Sequence, residues 1–211
     1  MMLKRIAIAV LLLAFIAGCG GRYIKPQPQY SWPEMAASQI VGSLGIYLDK
    51  DKLHLRYNSP AADDCCKHRA VMVGDGLLKA AKQAAEATFN RAIVLEGEPT
   101  DTYIKSLDLR GLLHLNDAYF DVEFIPHVDK EHGANKIYSY TIKISLDMKL
   151  TAIDFPLSDI RGLTVEASAT SSEPVPRHRV NKALQKLVDE LFRTAASNLA
   201  HELVNFYGAK A

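Results

Sequence analysis

The chain reads as an α+β protein: an antiparallel sheet of at least four strands with two helices packed on one face. Three observations predict this. Tyr138, Tyr140, Ile142, Ile144, Leu146, Met148 and Leu150 alternate with Ser139, Thr141, Lys143, Ser145, Asp147, Lys149 and Thr151. Successive strand residues face opposite sides, so this stretch buries one whole face and leaves the other in water. At about 3.3 Å per residue it spans about 45 Å, well beyond a typical strand. A cover of similar length follows. Val180, Leu184, Leu187, Val188, Leu191, Ala195, Leu199, Leu203 and Phe206 recur at helical spacing and form one apolar stripe. At 1.5 Å per residue a helix over 180–206 is about 40 Å long. Shorter alternating runs supply further strands: Phe120, Val122 and Phe124 between Asp121 and Glu123, and Leu163, Val165, Ala167 and Ala169 between polar neighbours.

The 211 residues carry 25 Lys and Arg against 24 Asp and Glu, a net charge of +1. Nothing in that balance points to nucleic acid or to an acidic substrate. The first segment points to the compartment. Lys4 and Arg5 precede an apolar run from Ile6 to Ile16. About eleven residues fall short of the twenty or so that a spanning helix needs, so the run reads as a signal peptide. It ends in Ile16-Ala17-Gly18-Cys19.

That ending resembles the lipobox of bacterial lipoproteins: an aliphatic residue, two small ones, then cysteine. The competing reading is an ordinary signal peptide with a chance cysteine. The resemblance implies that residues 1–18 are removed and that Cys19 becomes the acylated first residue of the mature chain. Two or three acyl chains anchor stably where one holds only marginally. In this family an Asp after the cysteine tends to keep the protein in the inner membrane. Gly20 stands there instead, so the resemblance implies the outer membrane, with the domain facing the periplasm.

Residues 19–37 read as an extended, lipid-anchored tether, with Pro26, Pro28 and Pro33 and no periodicity. Tyr23, Tyr30 and Trp32 suit a membrane interface; Trp32 could equally pack on the domain edge. Residues 38–211 read as one α+β domain. Leu44–Leu48 and Leu53–Tyr57, parted by Asp49–Lys52, read as a first strand or a hairpin. Gly74-Asp75-Gly76 opens a helix with Asp75 as N-cap and Leu78, Ala81, Ala85 and Phe89 as its buried stripe. Ala92–Glu96 reads as a short buried strand. Residues 97–110 read as a loop or short helix, 126–135 as a polar turn and 154–161 as another. Pro174 and Pro176 then break the sheet before the last helix.

The order of these elements over about residues 40–207 resembles small outer-membrane lipoproteins of the LptE-like, YajG-like and LpoB-like groups. No motif favours one group, and fold alone does not assign function.

Candidate chemistry is sparse. Asp63-Asp64-Cys65-Cys66-Lys67-His68 brings thiols, imidazole and carboxylates together. Zinc sites space their cysteines by two to four residues, so adjacent cysteines match poorly. In an oxidising compartment Cys65 and Cys66 could form a disulfide, strained if mutual and free to join another chain. An unremarkable loop is the third reading, and all three stay open. Gly74-Asp75-Gly76 lacks the third glycine of a dinucleotide fingerprint and the lysine of a P-loop, so a helix start explains it better. His114, His127, His132 and His178 have no nucleophile beside them. Asp121 and Glu123 share a strand face and could work as acid and base, but an exposed polar face explains them without chemistry. No G-x-S-x-G elbow occurs. The expectation is therefore a non-enzymatic envelope lipoprotein without a cofactor or metal. It would be held to the membrane through Cys19, with an envelope protein, glycan or lipid as partner. The alternative is a subunit of an outer-membrane export channel resembling the curli-secretion lipoprotein, whose apolar strand faces would meet lipid.

One prediction concerns the thiols. If Cys65 and Cys66 serve only a loop, replacing both by Ser shifts stability in urea melts by under about 0.5 kcal/mol. A loss of several kcal/mol, or of a dimer band on non-reducing gels, would instead reveal a structural link.

Overall fold

The computed structural model describes residues 22–29, 40–58, 69–129, 136–155 and 159–208. Its main sheet has the order β5-β2-β6-β7-β8, where β2 is Ile40–Leu48, β5 Phe89–Val94, β6 Leu109–Asp129, β7 Lys136–Asp154 and β8 Asp159–Thr170. A short strand, β9 (Val175–Pro176), continues the β8 edge by pairing with β7 at Ser139 and Tyr140. A second sheet has the order β1-β4-β3, formed by Arg22–Ile24, Arg69–Met72 and Arg56–Asn58 respectively. Four α-helices accompany them among the described residues: α1 (Lys50–Leu53), α2 (Val73–Thr88), α3 (Asp101–Ser106) and α4 (Val180–Tyr207), the last preceded by a 3-10 turn over Arg177–Arg179.

The α+β class stands, with one correction to strand direction. β6, β7 and β8 are antiparallel, as alternation and short connections suggest. β2 runs parallel to both β5 and β6. The cause is the crossover: α2 carries the chain back over the sheet between β2 and β5, and such a return makes the strands parallel. The expected hairpin after Leu48 does not form. Residues 50–53 are helical, and β3 leaves for the second sheet, where it pairs antiparallel with β4.

The core lies between the main sheet and the pair α2 and α4. On β7, Tyr140 and every second residue to Ala152 are buried, Ile142 completely. Tyr138, on the same face by parity, is 48% exposed because it lies past Ser139, the last residue that β9 pairs. On β8, Leu163, Val165, Ala167 and Ala169 point inward. β6 shows both parities. Leu113 and Leu115 face the core, and so do Phe120 and Val122. A bulge between Leu115 and Asp117 inserts one extra residue and moves the inward positions from odd to even. Across the helix side, Leu184, Val188, Leu191, Ala195, Leu199 and Leu203 of α4 are fully buried. A smaller cluster of Leu95, Leu109 and Leu112 lies on the other sheet face, packed with Tyr103 and Ile104 of α3.

α2 begins two residues before the predicted cap. Met72 occupies the cap position and makes no side-chain capping bond, while Asp75 lies in the first turn, where its charge complements the helix dipole. The buried stripe includes Leu77, Ala80, Ala81, Ala84 and Ala85; Leu78 is only half-buried. Gly76 explains the close approach of the two helices. A Cβ there would collide with the Phe192 ring. β5 is an edge strand rather than a buried one: Ala92 and Ile93 are half-buried and Val94 is exposed.

Residues 22–29, which lie within the segment read as a tether, are paired and packed. β1 pairs parallel with β4, and Ile24 is buried. The next residues lie against the helices. Gln185 Nε2 donates to the Lys25 carbonyl at 2.9 Å, Lys79 Nζ to the Pro26 carbonyl at 2.7 Å, and Gln27 N to Asp189 Oδ1 at 2.7 Å. An extended segment with free backbone groups can complete a sheet edge, and Ile24 supplies the apolar side chain for it.

At the C-terminal end of α4, the Tyr207 hydroxyl donates to the Ile153 carbonyl at 2.8 Å, and its ring packs on Phe89 at 5.0 Å. Beside it, Arg110 Nε lies 3.6 Å from the fully buried Asp154. Gly111 makes room, since a Cβ there would come within 2.5 Å of the Tyr207 oxygen. Burial, then the charge of Asp154, pushes the Tyr207 phenol above its usual range.

Two predictions follow from this packing. Ile144→Ala leaves a cavity under α4 and costs about 2–5 kcal/mol in a urea melt. Lys143→Ala, one residue away in water, costs under about 0.5 kcal/mol. In alkali, the raised Tyr207 pKa means that its contribution to stability is complete below about pH 10 and falls as the pH rises further. Tyr207→Phe therefore starts less stable at about pH 8 but shows a smaller fall in urea midpoint by about pH 11.

Candidate functional site

The chemistry-bearing residues singled out in the sequence divide sharply. Cys19, Cys65, Cys66 and His68 lie outside the described residues, as do His132, Tyr30 and Trp32. Asn58 and Arg69, at the two ends of the Cys65 and Cys66 segment, sit on adjacent strands of the second sheet. Gly74-Asp75-Gly76 lies in the first turn of α2, where Gly76 packs under Phe192. His114 packs beside the Tyr47 ring at 5.1 Å, and His127 Nε2 lies 2.8 Å from Thr141 Oγ1. His178 is exposed. Glu123 pairs with Lys143 at 3.5 Å across the β6–β7 ladder, while Asp121 sits opposite Ser145. Among the described residues, no three His, Cys, Asp or Glu side chains are placed to hold a metal.

What the ladder brings together is a different set. Because α2 and α4 take the apolar face of β6, β7 and β8, the alternate residues from Tyr119 onward on β6, and those they align with on β7 and β8, stand on the opposite, open face. Registers align Tyr119, Asp147 and Glu166 in one row across the three strands. The next row is Asp121, Ser145 and Ser168, and the one after it Glu123, Lys143 and Thr170. A cleft of about 490 Å³ follows the first two rows, lined by Tyr119, Ser145, Asp147, Glu166 and Ser168 and reaching Thr194 and Asn198 of α4. Asn198 Nδ2 donates to the Glu166 carbonyl at 2.9 Å and ties the helix to this edge.

The electrostatics of the cleft are unusual for a sheet surface. Asp147 and Glu166 stand directly opposite one another, an arrangement that costs stability. Asp147 Oδ1 is buried and finds no hydrogen-bond partner among the described residues. Tyr119, beside them, is 67% exposed. Two carboxylates, two serine hydroxyls and an exposed ring suit a ligand rich in hydrogen-bond donors or carrying positive charge. Elsewhere on β6, Asp117 is held below the usual carboxylate range, chiefly by the Lys52 ammonium hydrogen-bonded to it at 2.9 Å. Tyr57 is pushed up by burial and then by the charge of Asp121; its hydroxyl reaches the Val122 carbonyl at 3.4 Å.

Ser145, Asp147, Glu166 and Ser168 were visible in the sequence as the wet half of alternating strands, whereas nothing singled out Tyr119, Thr194 or Asn198. The alignment was not visible, because strand register does not follow from alternation alone.

No protein-family model matches the chain, and no curated protein matches its sequence. Solved structures similar to it include rare lipoprotein B from Shewanella oneidensis, with a TM-score of 0.43 and 10% identity over 79% of this chain and 97% of that one. A Xanthomonas campestris protein of the DUF330 family gives a TM-score of 0.44 and 10% identity over 88% and 99%. A Helicobacter pylori homolog of neuraminyllactose-binding hemagglutinin gives 0.44 and 13% over 87% and 92%.

If the cleft sacrifices stability for binding, removing one charge should relieve it. Glu166→Gln is expected to leave the fold intact and to raise stability by up to about 0.5 kcal/mol in urea melts. A loss of stability would show that the Glu166 carboxylate makes a native contact instead.

Proposed function

We propose that this chain is a lipid-anchored, non-enzymatic accessory protein of the outer membrane. Its domain stands in the periplasm and binds a protein, glycan or lipid partner in envelope assembly, transport or maintenance. The anchor in this reading is Cys19, at the end of the lipobox-like Ile16-Ala17-Gly18-Cys19, and Gly20 after it favours the outer membrane. The observation that carries the reading is the cover over the long strands. Ile142, Ile144, Leu146, Met148 and Leu150 are at most 2% exposed beneath the helices, within one molecule. An apolar face already covered by α2 and α4 has no need of lipid, which disfavours the export-channel alternative. Among the described residues no helix is long and apolar enough to cross a membrane; this says nothing of strands. The partner is proposed to meet the open face, at the row of Tyr119, Asp147 and Glu166.

Cys19→Ser should abolish incorporation of labelled palmitate and leave an uncleaved or soluble product. Wild-type protein that fractionates with membranes but carries no acyl label would refute the lipoprotein reading. A chain lacking residues 1–19 that forms a ring or aggregate, rather than a folded monomer or small oligomer, would favour the export channel.

A further inference from the structure

We infer that the outer face of the β1-β4-β3 sheet lies on the phospholipid surface that carries the anchor. The inference rests on acylation of Cys19. Between that residue and β1 stand only Gly20 and Gly21. Three peptide steps of about 3.8 Å bring Arg22 within about 11 Å of Cys19, however the chain runs. The segment that follows cannot lengthen the lead. It is fixed by strand pairing with β4, by the buried Ile24 and by hydrogen bonds to Gln185, Lys79 and Asp189. A headgroup layer is itself about 5–8 Å deep. The small sheet is thus held at the bilayer surface, and the domain does not ride on a long tether.

The composition of that sheet fits the place. Ile24, Val71 and Tyr57 form its inner row against the core. By alternation Tyr23, Ala70, Met72 and Arg56 face outward. Tyr23 is 57% exposed, and the Arg56 guanidinium lies 5.8 Å from its ring centroid. A tyrosine ring is favoured at the headgroup level, and a guanidinium matches lipid phosphate with paired donors. Lys25, also exposed, adds positive charge beside them. Cations so placed complement a leaflet containing anionic phospholipid.

The far end of the domain provides the control. Ile160 is 70% exposed at the start of β8, next to Arg161, which pairs with Glu202 of α4. Glu202 lies about 20 Å along α4 from Asp189, where the N-terminal segment is held.

The experiment uses the full-length chain, purified from membranes and reconstituted in vesicles of phosphatidylethanolamine with a minority of phosphatidylglycerol. Tyr23 or Ile160 is replaced by photoreactive benzoylphenylalanine, both being exposed positions. After illumination, intact-protein mass reports acyl chains on Cys19 and any phospholipid adduct. The expected result is an acylated chain whose lipid adduct is several times more abundant from position 23 than from position 160. An acylated chain with equal or absent adducts at the two positions overturns the inference and leaves the lipoprotein reading intact. So does an adduct from position 23 to a second copy of the chain. A chain without acyl groups overturns both.

Discussion

The fold depends on the burial of one apolar sheet face by α4. The buried stretch of β7, from Tyr140 to Ala152, is about 40 Å long at 3.3 Å per residue. α4, at 28 residues, is about 42 Å long at 1.5 Å per residue. Neither element would be stable alone. A strand of this length with a bare apolar face would pair or aggregate, and an amphipathic helix takes most of its stability from tertiary packing. Once they meet, other features follow. α2 must lie beside α4 on the same face, which requires the closeness that Gly76 allows under Phe192. The polar halves of β6, β7 and β8 are left facing water. Asp189 and Gln185, near the N-terminal end of α4, become the dock for residues 25–27.

Alternation and helical spacing made β7, β8 and α4 legible, because a period of two or of 3.6 is a local property of the chain. What escaped depended on contacts between distant residues. The bulge near Asn116 is stabilised across the ladder, where Asn116 Nδ2 donates to Thr151 Oγ1 at 2.7 Å, and nothing in the local pattern announces it. The parallel pairing of β2 with β5 follows from where α2 packs. Asp75 has the chemistry of a cap, but the chain enters α2 directly from β4, so the helix begins earlier. Residues 22–29 have the composition of a linker, yet two buried positions and three hydrogen bonds suffice to dock them. Of the candidate site, the residue types were readable and their alignment was not.

The two faces of the long strands divide the work. The covered face supplies stability and leaves little reason for lipid contact. The open face collects groups that stability does not require, including two opposed carboxylates and an exposed tyrosine. Positions that break a packing rule without a compensating contact are where function is expected. The proposed anchor and the docked N-terminal segment would add a third feature, a fixed orientation over the bilayer. On this account the domain meets its partner with a rigid sheet surface whose height above the membrane does not vary.

The central claim is that α4, and not lipid, covers β7. Hydrogen–deuterium exchange on the membrane-bound, full-length protein and on the same protein in detergent tests it most directly. If the helix is the cover, amides of β7 between Tyr140 and Ala152 and of α4 between Leu184 and Leu203 are the slowest in the chain. They then exchange together as one cooperative unit, at the same rate in both environments. If α4 exchanges freely while β7 is protected only in the membrane, the apolar face belongs to lipid and the account is wrong.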